Sequence, residues 1–497
     1  MFDERLHPNE TSGALTLSAV TNATSQINDG SLTLTLGGDY ASMMELENLR
    51  IDSSLANSVS KVTLRTAVPP TEASGRSAPS MNLTHLMRDI GKLCPNVEIL
   101  SLCLSPSVEV PIAALAAFFQ QGPKNLVSLT LSSAIISANG NDDFLWLTKA
   151  IKAATSWKEI RLESCEPALA TPSLDPLLES LAAAPALEQV ALSGTDITHY
   201  GLCTGPSLTT LLRNSTSLRT LTVWGGKRMM LPADVCALVQ VLESNTSLRE
   251  LTLHARGLDA ACGRALARCL TANNTLERLI LNVSDSSNRT LSIFPGCTDY
   301  TITTTLLAKA LQNHNRTLRL LSLDYCPEED YDCFVTEGDS HDYDFYDHWQ
   351  SDNHRTIDAR KNAETVRQAF VHMLHSNPTL EVLWMNIDTY EEDTEEGDEN
   401  LPSIIMVTPE MEMLLRLNRH GIRQKLFGVA DKGKCSNKDW VDAIASQSYD
   451  INASFYLISQ NPSLCSERLC YELLAKRDGS GLVTASRTNK RQRTTSL

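Results

Sequence analysis

The chain has 497 residues, 42% of them apolar, and a formal net charge of −16. That apolar share supports a large core, yet no run of about 18 consecutive apolar residues exists to span a membrane. The acidic total disfavours nucleic-acid binding, because phosphate recognition requires a basic face.

The opening stretch MFDERLHPNE (Met1 to Glu10) is polar and charged, so no secretory leader is expected and a cytoplasmic location is predicted. Residues 1–54 form an N-terminal segment in which Ser31 to Leu36 (SLTLTL) reads as a capping strand. Val59, Val62 and Leu64 then introduce the pattern that governs residues 55–388. An apolar residue, two variable residues, an apolar residue, one variable residue and an apolar residue recur from Val97, Leu126, Trp157, Leu187, Leu218, Leu248, Leu276, Leu318 and Leu380. The first seven starts lie 29, 31, 30, 31, 30 and 28 residues apart. A fixed period in this range predicts a solenoid, since one unit cannot bury its apolar face without stacked neighbours.

One unit shows the organisation. Leu248 to Leu253 reads as strand and Gly257 to Asp259 as loop. Cys262 to Leu270 reads as helix, with Leu266, Ala267 and Leu270 on one face. A polar junction follows with Asn273 and Asn274, and it recurs at Asn214, Asn245, Asn313 to Thr317 and Asn377. Asn tolerates the left-handed conformation that ends helices, so these residues read as helix stops. Helices are wider than strands, so the stack is expected to curve with its strands inside.

These repeats resemble the ribonuclease-inhibitor-like class of leucine-rich repeats, the long helical variety. The resemblance implies an α/β fold: a curved solenoid of parallel concave strands and convex helices, followed by a small helical C-terminal cap. The family places Asn or Cys three residues after the last strand Leu, where the side chain bonds backbone groups of neighbouring turns. This chain has Ser105, Ala134, Cys165, Thr195, Gly226, Arg256, Ser284, Cys326 and Asp388 there, which reads as a divergent, loosely kept ladder.

The charge is concentrated in two stretches. Asp324 to Asp347 holds ten acids and Asp388 to Glu399 eight, with no Lys or Arg in either; the rest of the chain carries +2. The first lies in an insertion at about residues 327–350, where Tyr331, Phe334, Tyr343, Phe345, Tyr346 and Trp349 are mixed among acids. Insertions in a solenoid map to loops, and aromatics among acids suit a basic partner. The second, residues 389–402, reads as a low-complexity, disordered linker. Residues 403–475 read as the helical cap. Thr408 is the N-cap and Pro409 the first helical residue of one helix, and Trp440 to Ala445 and Ala453 to Leu457 read as two more. The segments LNRHG, DWVDAIA and FYLISQNPSLC resemble a helical segment found behind such repeats in uncharacterised algal proteins, a resemblance that implies no activity. Residues 476–497 read as a disordered tail, whose Lys490, Arg491 and Arg493 make nuclear entry the alternative location.

Neither metal nor cofactor is expected. The 13 cysteines are odd in number and scattered, no CxxC pair occurs, and Cys465 and Cys470 lack His at zinc spacing. His341 and His348 lie among acids without the spacing of a calcium loop. Asn-x-Ser/Thr triplets at Asn214, Asn245, Asn273, Asn315 and Asn452 read as structural rather than as glycosylation sites. The sequence has no phosphate-binding Gly loop or nucleophile elbow, so no catalytic residue is named and the protein is read as a non-enzyme.

Function is therefore expected on the concave strands, where side chains alternate between core and solvent. The candidate partner-binding residues are Glu159, Arg161, Glu163, Trp224, Glu250, His254, Arg278, Asp324 and Trp384, since exposed Trp and Arg are enriched at binding hot spots. The reading is a protein–protein interaction scaffold whose partner is another protein, not a nucleic acid or a membrane. The alternative is a small-GTPase regulator resembling the Ran GTPase-activating protein, which shares this repeat class and often ends in acidic sequence. A ubiquitin-ligase subunit would need an adaptor-binding helix pair near the N-terminus, which is not recognisable here.

Overall fold

The computed structural model describes residues 24–28, 31–36, 59–66, 96–104, 109–121, 124–138, 140–168, 175–195, 205–225, 230–256, 258–284, 298–325, 353–387, 407–427, 435–461 and 464. The acidic insertion at 327–350, the linker at 389–402, the tail at 476–497, most of residues 1–54, and the His341, His348, Cys465 and Cys470 positions lie outside them.

The strands are β1 (Thr24–Asn28), β2 (Ser31–Leu36), β3 (Lys61–Thr66), β4 (Ile99–Cys103), β5 (Glu109–Pro111), β6 (Ser128–Ser132), β7 (Ile135–Ser137), β8 (Glu159–Glu163), β9 (Glu166–Pro167), β10 (Gln189–Thr195), β11 (Thr220–Gly225), β12 (Glu250–Arg256), β13 (Arg278–Ser284), β14 (Leu320–Tyr325) and β15 (Val382–Ile387). The helices are α1 (Ile112–Gln121), α2 (Asn141–Ala153), α3 (Asp175–Ala182), α4 (Gly205–Asn214), α5 (Pro232–Leu242), α6 (Ala260–Ala272), α7 (Thr298–Asn313), α8 (Asn353–Ser376), α9 (Pro409–Arg419), α10 (Ile422–Phe427), α11 (Asn437–Ser446) and α12 (Ile451–Gln460).

One 12-stranded sheet runs β1-β2-β3-β4-β6-β8-β10-β11-β12-β13-β14-β15. Only the β1–β2 pair is antiparallel; from β2 onward each strand lies parallel to the next. Parallel neighbours need a crossover, and helices supply it from β4 onward. The SLTLTL stretch is thus a strand of the main sheet, paired to β1 and β3. A second sheet, β5-β7-β9, joins short parallel strands from three early repeats. Strands of two or three residues carry too little periodicity for a sequence pattern to reveal.

The repeat pattern is obeyed in full: the three apolar positions of all nine copies are buried, as are Val59, Val62 and Leu64. The register explains why. Leu221, Leu251, Leu279 and Leu321 are aligned partners across β11 to β14, and Val223, Leu253, Leu281 and Leu323 form the next row. Helix residues such as Leu238, Leu266, Leu270, Leu307 and Leu311 fill the same continuous core. Adjacent helices approach closely in places. A Cβ at Gly263 in α6 would lie 2.8 Å from the Thr303 Cα in α7, so glycine is required there.

The ladder between repeats sits elsewhere than expected. Of the expected positions after the strands, Ala134 and Cys165 have described side chains; Cys165 fits, its Sγ donating to Leu131 O at 3.3 Å, and Ala134 has no polar group to do so. Four main rungs instead precede the strands, at Asn245, Asn273, Asn315 and Asn377. Asn273 shows the geometry. Its Nδ2 donates to Leu242 O (2.7 Å) and Asn245 O (2.9 Å) in the preceding repeat. Its Oδ1 accepts from Thr275 N (2.9 Å) and Leu276 N (2.8 Å) at the start of its own strand. Asn273 has φ −78° and ψ 127°, an extended and not a left-handed conformation. The junction asparagines therefore cross-link repeats rather than merely stopping helices. In earlier repeats Ala154, Ala184 and Ser215 occupy the equivalent place, and Ser156 and Ser217 reach back to Leu126 O and Leu187 O instead.

Within the segment expected to be helical, α9, α11 and α12 lie where predicted, and Thr408 Oγ1 caps α9 through Met411 N at 3.2 Å. The six-residue α10 was not anticipated. It follows Gly421, whose φ of 65° suits glycine at the end of α9. Asn418 of α9 continues the ladder, donating to Asn377 O (3.1 Å) and Leu380 O (2.7 Å).

Two neighbouring asparagines give a sharp test. Asn273 is buried with four backbone bonds, whereas Asn274 is exposed. Asn273→Ala should lower stability by about 2–4 kcal/mol in urea denaturation, through orphaned buried backbone groups. Asn274→Ala should change it by no more than about 0.5 kcal/mol. Equal effects would refute the ladder.

Candidate interaction surface

The alternation that buries the pattern residues leaves their neighbours on the opposite sheet face, and the parallel register stacks these into rows. Glu159, Gln189, Thr220, Glu250, Arg278, Leu320 and Val382 are successive partners in the first row. Arg161, Ala191, Thr222, Thr252, Ile280, Ser322 and Trp384 form the second. Glu163, Ser193 and Trp224 align in the third, as do His254, Asn282, Asp324 and Asn386. Every residue singled out from sequence thus lies on one of three rows.

Four of the charges among them are paired with each other. Arg278 pairs with Glu250 across β12 and β13 at 3.3 Å, and Arg161 with Glu159 on its own strand at 2.5 Å. Glu163 accepts from Ser132 Oγ at 2.9 Å. Exposed pairs of this kind contribute about 0–1 kcal/mol and mostly fix side-chain directions. The aromatics differ. The Trp224 ring lies 5.4 Å from the His254 ring, and Trp224 is 44% exposed. Trp384 is 63% exposed. Four strand steps separate the two tryptophans, roughly 19 Å at the usual strand spacing. They mark an extended surface, not one pocket.

A further charged row was not named from sequence. At the residue after the first pattern position, Lys158 pairs with Glu188 (3.4 Å), Arg249 with Glu277 (3.1 Å) and Arg319 with Glu381 (3.5 Å). The fixed offset of these residues from each repeat start was the signal that exposed it.

Cysteine chemistry lies on the helical side. Cys236 Sγ and Cys262 Sγ are 3.0 Å apart, and the Asp259 carboxylate completes a set of three donors within 4.8 Å of one another. These residue types suit a soft divalent metal. However, Asp259 is already the N-cap of α6, accepting from Cys262 N at 2.7 Å. Cys262 donates to Pro232 O at 2.9 Å, and burial, followed by the neighbouring Cys236, pushes its thiol far up. Cys262 is therefore held as a neutral thiol rather than as a ready metal ligand. Burial likewise pushes Cys165 up to about 11 and Cys269 up to about 12, with Glu243 adding to the rise at Cys269.

No protein-family model matches the chain, and no curated protein matches it. Among solved structures, actin-binding site 2 of leiomodin-1 is 17% identical, with TM-score 0.25, over 41% of this chain and 90% of that one. TLR13 in its complex with ssRNA13 is 13% identical, with TM-score 0.31, over 58% of this chain and 35% of that one. A protein from Bacteroides fragilis is 13% identical, with TM-score 0.35, over 59% and 75%.

The buried thiols give a pH prediction. A thiol in the unfolded chain loses its proton near 9.0, whereas folded Cys165 and Cys269 keep theirs to about 11 and 12. Above pH 9 the folded state therefore binds more protons, and stability should fall as pH rises towards 11. Urea titrations across that window should show the fall, and a Cys165→Ala/Cys269→Ala double variant should flatten it. An equal slope in both proteins would contradict the assignment.

Proposed function

We propose that this chain is a non-enzymatic scaffold that binds another protein on the open face of its parallel sheet. In this reading the stack curves with its strands on the concave side, in the manner of ribonuclease-inhibitor-like leucine-rich repeats. Residues 403–475 close the exposed end of the last repeat, as terminal units of solenoids must. The observation that carries the reading is the exposure of Trp224 and Trp384. Neither ring is needed by the core, and large aromatics on a flat, pre-formed surface are characteristic anchors of protein interfaces. The surface is broad, because parallel pairing runs without a break from β2 to β15.

Among the described residues no helix is long and apolar enough to cross a membrane. The acidic stretch around Asp330 to Asp347 gives the partner a basic surface in this proposal, since charges outside a packed interface act mainly on encounter.

Affinity purification with mass spectrometry identifies the partner. Trp224→Ala and Trp384→Ala should then each weaken the complex by about 2 kcal/mol, mainly through faster dissociation. Removing residues 327–350 should slow association and reduce its salt dependence. Unaltered kinetics in all three variants would overturn the sheet-face proposal and direct attention to the helical side.

A further inference from the structure

A polar cleft of about 380 Å³ opens where the last repeats meet the C-terminal helices. Its walls include Arg316, His375, Ser376, Arg423, Tyr456 and Gln460. Arg423 is the unusual member. It is only 1% exposed, among the largest fully buried side chains of the protein. Its Nη2 donates to His375 O (2.7 Å), and its Nη1 to Asn418 Oδ1 (3.0 Å) and Asn377 O (3.3 Å). The Phe427 and Tyr456 ring centroids each lie 5.9 Å from its guanidinium carbon. Its buried Nε has no partner among the described residues. Among the described residues Arg316 donates only to main-chain carbonyls, those of Leu311, Gln312 and Asn315.

Both cations are thus held by neutral dipoles. Among the described residues neither forms an ion pair, and the wall residue His375 already engages Glu410 at 2.8 Å. Neutral acceptors satisfy hydrogen bonds but leave most of the desolvation of a buried charge uncompensated. Burial accordingly lowers the pKa of both guanidiniums, while the neighbouring Tyr456 acts in the opposite sense on Arg423. In a chain of net charge −16, two unpaired arginines facing one cleft are an uncommon concentration of positive potential.

We infer that this cleft binds a small organic phosphate, the dianion lying against the Arg316 and Arg423 side of the wall. A phosphate monoester carries about two negative charges at pH 7, matching the two guanidiniums. The Ser376 hydroxyl, the Tyr456 phenol and the Gln460 amide bring neutral donors for its oxygens. The cleft is of the size that holds a small ligand rather than a bare ion, and Phe427 and Pro378 give it an apolar side for an organic body. The site is independent of the sheet face proposed for protein binding.

Isothermal titration of the full-length protein with phenyl phosphate tests this, with benzoate at matched ionic strength as the control. Phenyl phosphate should bind saturably with one-to-one stoichiometry, and benzoate should not. Arg316→Gln, which removes a half-buried cation, should weaken binding about tenfold or more while circular dichroism stays unchanged. Arg423→Met should abolish binding, but Arg316→Gln is the deciding variant because Arg423 also supports the fold. No saturable heat, an equal response to benzoate, or unchanged affinity in folded Arg316→Gln would each overturn the proposal.

Discussion

An asparagine amide fastens each repeat in the second half of the sheet to the one before it, and three of the four are buried. The turn from helix to strand lies against the neighbouring repeat, where its main-chain groups are hidden from water and need partners. At Asn245, Asn273, Asn315 and Asn377 one side chain supplies them in both directions: the amide nitrogen donates backwards, to two carbonyls at Asn273, Asn315 and Asn377 and to one at Asn245, and the amide oxygen accepts forwards. Each asparagine stands three residues before the first apolar residue of its strand. Fixing the turn therefore fixes the position of that strand, and with it the alignment of every leucine row. A slip of one residue would put the leucines in solvent.

The last rung links the repeats to the helices beyond. Asn418 comes from α9 rather than from a junction before a strand, yet its Nδ2 donates to the same kind of carbonyls. No strand amide follows to satisfy its Oδ1, and Arg423 donates to it instead. The guanidinium that completes the ladder is thereby drawn into the interior without a carboxylate. The cation-lined cleft is in this sense a product of how the stack ends. The sheet face follows from the same alignment: with one set of alternating residues committed to the core, the other is free to carry ion pairs and the two exposed tryptophans.

Much of the fold was legible because the apolar spacing is strict. All nine triplets predicted from sequence are buried, the second and third residue of each within a strand, and the Thr408-Pro409 signal marks the start of α9. The surface rows were legible for the same reason, since side chains alternate once the strand is located. The asparagines were visible but their role was misjudged. A polar residue after a helix reads naturally as a stop, and only the extended backbone of Asn273 and its bonds to the previous repeat show a cross-link. Family expectation also placed the ladder after the strands, where Cys165 serves among the described side chains. The cleft was not legible at all. Arg316, His375, Arg423 and Tyr456 come from four separate stretches, and each is unremarkable alone.

Amide hydrogen exchange on the intact protein tests the ladder most directly. The amides of Leu248, Leu276, Leu318 and Leu380 each donate to an asparagine Oδ1 rather than to a helix or sheet carbonyl. If the ladder holds the stack together, these four should exchange as slowly as the central strand amides of β12 and β13, opening only with the sheet itself. Exchange as fast as at the exposed helix ends would show that the rungs open independently, and that leucine packing alone sets the register.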